Sequence, residues 1–127
     1  MTFVDTNVIM YAVGAEHPLR WTARTFFEQA LTNGTPLATS AEVLEELLHA
    51  YLPVERMETL EAALTLVQGR IPTVWSVEPD DVLLARTLAG SHAALSARDL
   101  VHLACCTRRG VMQVKTFDRG LAAAVGG

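Results

Sequence analysis

Apolar residues along the chain fall into short runs, and the spacing inside each run predicts its element. Phe3 and Val4 begin a short strand that stops at Asp5-Thr6-Asn7. Val8, Ile9 and Ala12 then repeat at helical spacing as far as Gly14. His17-Pro18 opens a second predicted helix, which runs to about Leu31 and stops at Asn33-Gly34. Residues 36–39 read as a strand. Ser40 is placed to cap a helix over 41–51, Pro53 breaks it, and a further helix over 54–68 ends at Gly69. A β-branched strand follows over 73–77. Pro79, with Asp80 and Asp81 behind it, starts a helix to about Ala89. Ser96 caps a helix over 97–109 that Gly110 stops; residues 111–116 are the last strand and 118–125 the last helix.

Strands that alternate with helices or helix pairs predict an α/β fold, with a parallel sheet covered by helices on both faces. No repeat, low-complexity stretch or composition shift divides the chain, so residues 1–127 are expected to form a single domain.

Composition narrows the function classes. Half of the 127 residues are apolar and 19% are charged, enough to bury a core. No apolar run approaches the ~20 residues of a membrane span. The start, MTFVDTNVIMY, has neither a basic n-region nor a small-residue cleavage site, so a cytoplasmic location is expected. Cys105 and Cys106 are adjacent, which suits neither a disulfide nor a zinc site, and buried free thiols are expected. The net charge of −4 is mildly acidic and argues slightly against nucleic-acid binding by bulk electrostatics. If the chain handles RNA, it does so through metal ions and local cations.

The acids carry the chemistry. Asp5 and Asp118 each follow a strand and precede a helix, where either serves as an N-cap. Asp99 lies three residues after Ser96, and Glu42 three after Thr39, each a capping-box spacing. A parallel sheet, however, brings the C-terminal ends of its strands to one edge, where α/β proteins place their sites. Ionised carboxylates about 5 Å apart repel by roughly 3 kcal/mol at an effective dielectric near 20. Caps alone could be Ser, Thr or Asn, so converging acids point to a divalent cation. On the helix over 41–51 the apolar face is Val43, Leu44, Leu47, Leu48 and Tyr51; Glu45 and Glu46 flank it, and the wheel does not choose between them. Glu42 and His49 point away.

FVDTNVI, TSAEVLEELL, SARDLVHLA and VKTFDRGL occur in this order over nearly the whole chain. Together they resemble the PIN-domain family, in particular the VapC-type toxins of bacterial toxin–antitoxin pairs. The resemblance implies a three-layer α/β/α fold with a short, mostly parallel sheet of about four strands. It also implies a metal-dependent endoribonuclease whose four acids are Asp5, Glu46, Asp99 and Asp118. Glu46 is chosen over Glu45 because the family's acid sits in the Leu-x-Glu-Leu step, here Leu44-Glu45-Glu46-Leu47. Asn7 and Thr116 match polar positions that support the acids. Many members carry one more strand after the last helix, whereas here Gly126-Gly127 ends the sequence; a shortened sheet edge and a looser hold on Asp118 are expected.

Such a site would use Mg²⁺ or Mn²⁺, since hard cations take oxygen ligands and an all-acid set does not favour zinc. Asp5, Asp99 and Asp118 are expected to hold the metal, directly or through water, and Glu46 to be a ligand or to activate the attacking water. Arg98 and Arg119 adjoin proposed ligands and are first candidates for phosphate contacts. Arg108 and Arg109 are assigned to the helix macrodipole; His102, one turn from Asp99, could face the site, but a satisfied structural role is preferred. Trp21, Phe26, Phe27 and Trp75 are expected in the core or an interface. The implied partners are an RNA substrate, a second copy of the chain and a cognate antitoxin, seated in an apolar groove between the helices over 41–68 and the helix at Pro18. A haloacid-dehalogenase-type phosphotransferase is disfavoured, because Asn7 stands where it needs a second Asp. The alternative retained is a non-catalytic PIN-like module that docks RNA or protein.

Overall fold

The computed structural model describes residues 1–126. The elements follow in the order β1 (Thr2–Val4), α1 (Thr6–Val13), α2 (Pro18–Asn33), β2 (Leu37–Ser40), α3 (Ala41–Tyr51), α4 (Met57–Arg70), β3 (Thr73–Trp75), α5 (Pro79–Leu88), α6 (Ala97–Arg108), β4 (Gln113–Lys115) and α7 (Arg119–Gly126).

The strands form one sheet in the order β3-β2-β1-β4, and every pairing is parallel. Phe3 lies opposite Ala38 on one side and Val114 on the other. The chain steps outward from β1 to β2 to β3, then returns across the sheet to set β4 on the free side of β1. The strand order therefore reverses between β1 and β4. In an open α/β sheet the crevice at the carboxyl ends of those two strands is where a site forms.

The helices separate into two sets. Helices α1 to α4 pack among themselves, whereas α5 packs on α6 and α6 on α7. The main core joins Phe3 and Val4 of β1 to Val8 and Ile9 of α1, Phe27 of α2, Val43 and Leu47 of α3, and Leu60 and Val67 of α4. A smaller cluster of Ala85, Leu100 and Ala104 holds α5 on α6. Buried residues four apart, Val43, Leu47 and Tyr51, give α3 one apolar stripe and leave its flank free to present an acid.

The structure moves several boundaries. Helix α4 begins at Met57, after a turn in which Glu55 has φ 56°, and it runs through Gly69 to Arg70. Gly69 has open space around it and no positive φ, so it continues the helix. Strands β3 and β4 are shorter than the apolar runs predict, because each pairs along one side only. Thr39 forms no capping box with Glu42: its hydroxyl donates to the carbonyl of Val4 at 2.9 Å, tying β2 to β1. Trp21 is not in the core; it is 76% exposed on α2.

Candidate metal centre

Asp5 leaves β1 at the switch point and is buried. It is also the N-cap of α1, its Oδ1 accepting from Thr6 N–H at 2.7 Å. Its Oδ2 accepts from the Thr116 hydroxyl at 2.7 Å. The same hydroxyl oxygen accepts from the Asn7 amide at 3.3 Å and from Asp118 N–H at 2.9 Å. Asn7 Oδ1 in turn accepts from Phe117 N–H at 3.2 Å. Thr116 and Asn7 thus stitch the loop after β4 to the loop after β1 and fix the Asp5 carboxylate plane.

Glu46 reaches this point from α3. Its Oε1 lies 2.6 Å from Nε2 of His102, and the same nitrogen lies 3.6 Å from Asp5 Oδ1. One ligand-type atom from each of Asp5, Glu46 and His102 falls within 4.8 Å of the other two, so the three side chains converge on one point. Glu45, the neighbour that the helix wheel could not separate from Glu46, is exposed.

Asp99 and Asp118 stand outside that tight group. Asp99 is half-buried in the first turn of α6, and its N–H donates to Ser96 Oγ at 3.2 Å. Asp118 is exposed, and its Oδ1 caps α7 by accepting from Leu121 N–H at 3.0 Å. A Cβ on Gly120 would lie 3.2 Å from that oxygen, so the glycine leaves it room. Asp118 keeps its capping bond, and Asp99 lies within electrostatic reach of both Asp118 and Asp5.

The electrostatics show carboxylates crowded together. Burial raises the Asp5 pKa above its ordinary value, against the pull of His102, Thr116 and Thr6. Burial also raises Asp99, with repulsion from Asp118 and Asp5 added. Burial raises Glu42 as well, helped by Glu45 and Glu46. Burial works to raise Glu46, but the His102 hydrogen bond and charge overcome it and leave the pKa lowered. For His102, burial works to lower the pKa, but Glu46 and Asp5 raise it.

His102 is the residue that sequence reasoning placed wrongly. It was expected to be a satisfied structural histidine; instead it is 1% exposed, faces two of the acids through Nε2, and leaves Nδ1 without a protein partner. The signal was present, since His102 lies one helical turn from Asp99 and so on the same face. Arg108 and Arg109 sit at the C-terminal end of α6 as expected, and they have a further partner. Both donate to Asp81, which is fully buried, so they close an ion cluster between α5 and α6. Arg98 is exposed and within electrostatic reach of Glu42 and Glu46. Arg119 is exposed at the start of α7 and makes no ion pair among the described residues. The cysteines are buried and unpaired.

Comparison with known proteins agrees with this geometry. The PIN-domain family profile matches residues 2–126. The chain is 58% identical over 124 residues to Ribonuclease VapC23 of Mycobacterium tuberculosis, covering 98% of both chains. It is 38% identical over 120 residues to Ribonuclease VapC13 of the same organism, covering 94% of this chain and 92% of that one. Among solved structures, the M. tuberculosis toxin VapC20, described as sarcin-ricin loop cleaving, superposes with a TM-score of 0.79 at 22% identity, covering 98% of this chain and 95% of that one. VapBC2 from Rickettsia felis, bound to a DNA fragment from its promoter, gives 0.71 at 16% identity over 92% and 86% of the two chains. These matches and the four-stranded parallel sheet lead to one conclusion: the chain belongs to the PIN-domain family, as a member of its VapC type.

Proposed function

We propose that this chain is the toxin of a toxin–antitoxin pair and hydrolyses RNA phosphodiester bonds as an Mg²⁺- or Mn²⁺-dependent endoribonuclease. The observation that carries this reading is the meeting of Asp5 and Glu46 at the sheet's switch point, with Asp99 within electrostatic reach of both Asp5 and Asp118. Nothing in the packing calls for ionised groups there, and their mutual repulsion needs a cation to offset it. The residues fit such an ion. Their donors are mostly hard oxygens, the set that such a cation prefers. A bound Mg²⁺ or Mn²⁺ would polarise a phosphoryl oxygen and lower the pKa of its water.

The chain's own residues then have distinct tasks. Asp5 is the anchored ligand, fixed by Thr6 N–H and the Thr116 hydroxyl. Asp99 and Asp118 complete the charge, through water where they do not reach. Glu46 is a ligand or accepts the proton of the attacking water. Asn7 and Thr116 keep the acids in place. Arg98 and Arg119, exposed on either side of the acids, meet the RNA phosphates.

The protein would act in the cytoplasm; among the described residues no helix is long and apolar enough to cross a membrane. As partners we propose a second copy of the chain and a cognate antitoxin. A groove of about 500 Å³ lies between the end of α1 and the α3–α4 turn, lined by Met10, Tyr11, Tyr51 and Arg56 among others. Exposed Leu52, Val54 and Met57 continue from it. Its lining also includes His17 and Thr59, at the starts of α2 and α4.

The test is cleavage of total RNA by antitoxin-free protein in Mn²⁺ or Mg²⁺, in chelator, and with Asp5→Asn as control. Discrete fragments that need metal and vanish in the variant support the reading. A folded, partner-free protein that cuts nothing in either metal refutes it in favour of a non-catalytic binding module.

A further inference from the structure

We propose that His102 serves the centre as a hydrogen-bond donor that positions Glu46, and that it is not itself a metal ligand. The inference rests on the metal-site reading above and refines it: the coordination sphere stays all-oxygen although an imidazole stands inside it.

Two features of the geometry decide between donor and ligand. The first is distance. Nε2 lies 2.6 Å from Glu46 Oε1. That is hydrogen-bond contact, slightly inside the ~2.7–2.9 Å usual for a nitrogen donor on a carboxylate. Two neighbouring ligands of one octahedral ion at ~2.1 Å stand about 3 Å apart, so this pair is too close to share an ion without moving. The second is the far side of the ring. A histidine that binds metal through Nε2 carries its proton on Nδ1, and that N–H ordinarily donates to a carboxylate or carbonyl. Here Nδ1 is buried and meets no acceptor among the described residues. A proton placed there is an orphaned buried donor, which native proteins avoid more strictly than an orphaned lone pair. The proton therefore belongs on Nε2, where it donates to Glu46 and faces Asp5 Oδ1 at 3.6 Å.

The surroundings hold the ring in this pose. Its centroid is 5.4 Å from that of Phe3. Phe3 is itself stacked on Trp75 at 5.8 Å, so the imidazole rests on a wall of the main core. Held in this way, Glu46 spends Oε1 on His102 and offers Oε2 to the metal or to the attacking water. An exposed glutamate on a helix would sample several rotamers; this one is pre-set.

The experiment uses Mn²⁺ as the probe of the full chain, without RNA. Pulsed EPR reports whether a ¹⁴N nucleus is bound directly to Mn²⁺, and EPR titration gives the affinity. Wild type is expected to show no directly bound nitrogen. His102→Gln, which keeps an N–H donor, should bind within about threefold of wild type; His102→Leu, which removes it, should lose roughly tenfold or more. Directly coupled ¹⁴N in wild type overturns the proposal, as does a folded His102→Leu that binds like wild type, or a His102→Gln no better than His102→Leu. If His102→Leu does not fold, the wild-type spectrum and His102→Gln still decide. A wild type that binds no Mn²⁺ at all overturns the metal reading beneath it, and is told apart by that result alone.

Discussion

Asp81 offers a stability test that leaves the metal centre untouched. The residue is fully buried near the start of α5. Its Oδ1 accepts from Arg108 Nη1 at 2.8 Å and Arg109 Nη1 at 2.9 Å. Its Oδ2 accepts from Arg109 Nη2 at 3.2 Å and Glu78 N–H at 2.8 Å. Asp81→Asn keeps the shape but turns one acceptor into a donor. That donor must face either an arginine or the Glu78 N–H, and the two arginines lose their shared counter-charge. Breaking a buried charge pair costs 3–5 kcal/mol, and the partial exposure of the arginines, 30% and 20%, points to the lower end, about 3 kcal/mol. For a chain of this size that lowers Tm by roughly 10 °C. The assay is thermal unfolding followed by circular dichroism at pH 7. The pH dependence supplies a second check. Burial works to raise the Asp81 pKa, but the arginine and backbone hydrogen bonds hold it well below the ordinary carboxylate range. A depressed folded pKa gives stability that is present above the unfolded value, near 3.9, and is lost as pH falls towards the folded one. The gap between wild type and variant should therefore narrow below about pH 4. A gap under ~1 kcal/mol at pH 7, or one that stays constant into acid, would refute the reasoning.

Other perturbations address the site directly. Mn²⁺ at a hundred times its Kd should stabilise wild type by about 2.7 kcal/mol; Asp5→Asn should abolish that gain, and should melt no lower than metal-free wild type because it relieves a buried charge, both read by thermal shift. Thr116→Val removes the donor to Asp5 and the acceptor for Asn7 and Asp118 N–H. It should weaken Mn²⁺ binding at least ~10-fold with only a modest loss of stability; equal affinity in a calorimetric titration would count against the clamp. Burial pushes the thiols of Cys105 and Cys106 up to about 11 and about 12. A colorimetric disulfide reagent should therefore find both only after denaturation, and fast labelling of native protein would contradict their burial.

The sequence made the element order legible because most elements are bounded by residues with one strong local preference. His17-Pro18 starts α2 through an Nδ1 that accepts from Leu19 N–H at 3.1 Å, and Gly34 ends it at φ 64°. Where the local signal is weak, the boundaries moved. Gly69 has room to stay helical, and only the tertiary turn at Glu55 delays α4. Asp5 and Asp118 follow β1 and β4 and so lie where strand ends converge in a parallel sheet, whereas Asp99 and Glu46 were named by the family resemblance. The partners of Asp81 and His102 were not, because each bond spans a large sequence separation: 27 and 28 residues from Asp81 to the arginines, 56 from Glu46 to His102. Periodicity reports which face a residue takes, not which distant side chain meets it there.

Helix α6 carries both outcomes. Near its C-terminus, Arg108 and Arg109 find a buried counter-ion in Asp81, so charge is neutralised and contributes to holding α5. At its N-terminus, burial raises the Asp99 pKa, the like charges of Asp118 and Asp5 add to it, and Asp99 has no arginine to pair with among the described residues. A chain selected for stability alone would treat both ends alike. Local rules fail mainly where function requires it. The uncompensated end is therefore the one that a cation must complete. His102, one turn further along the same face, holds a neighbouring acid and does not supply the missing charge centre.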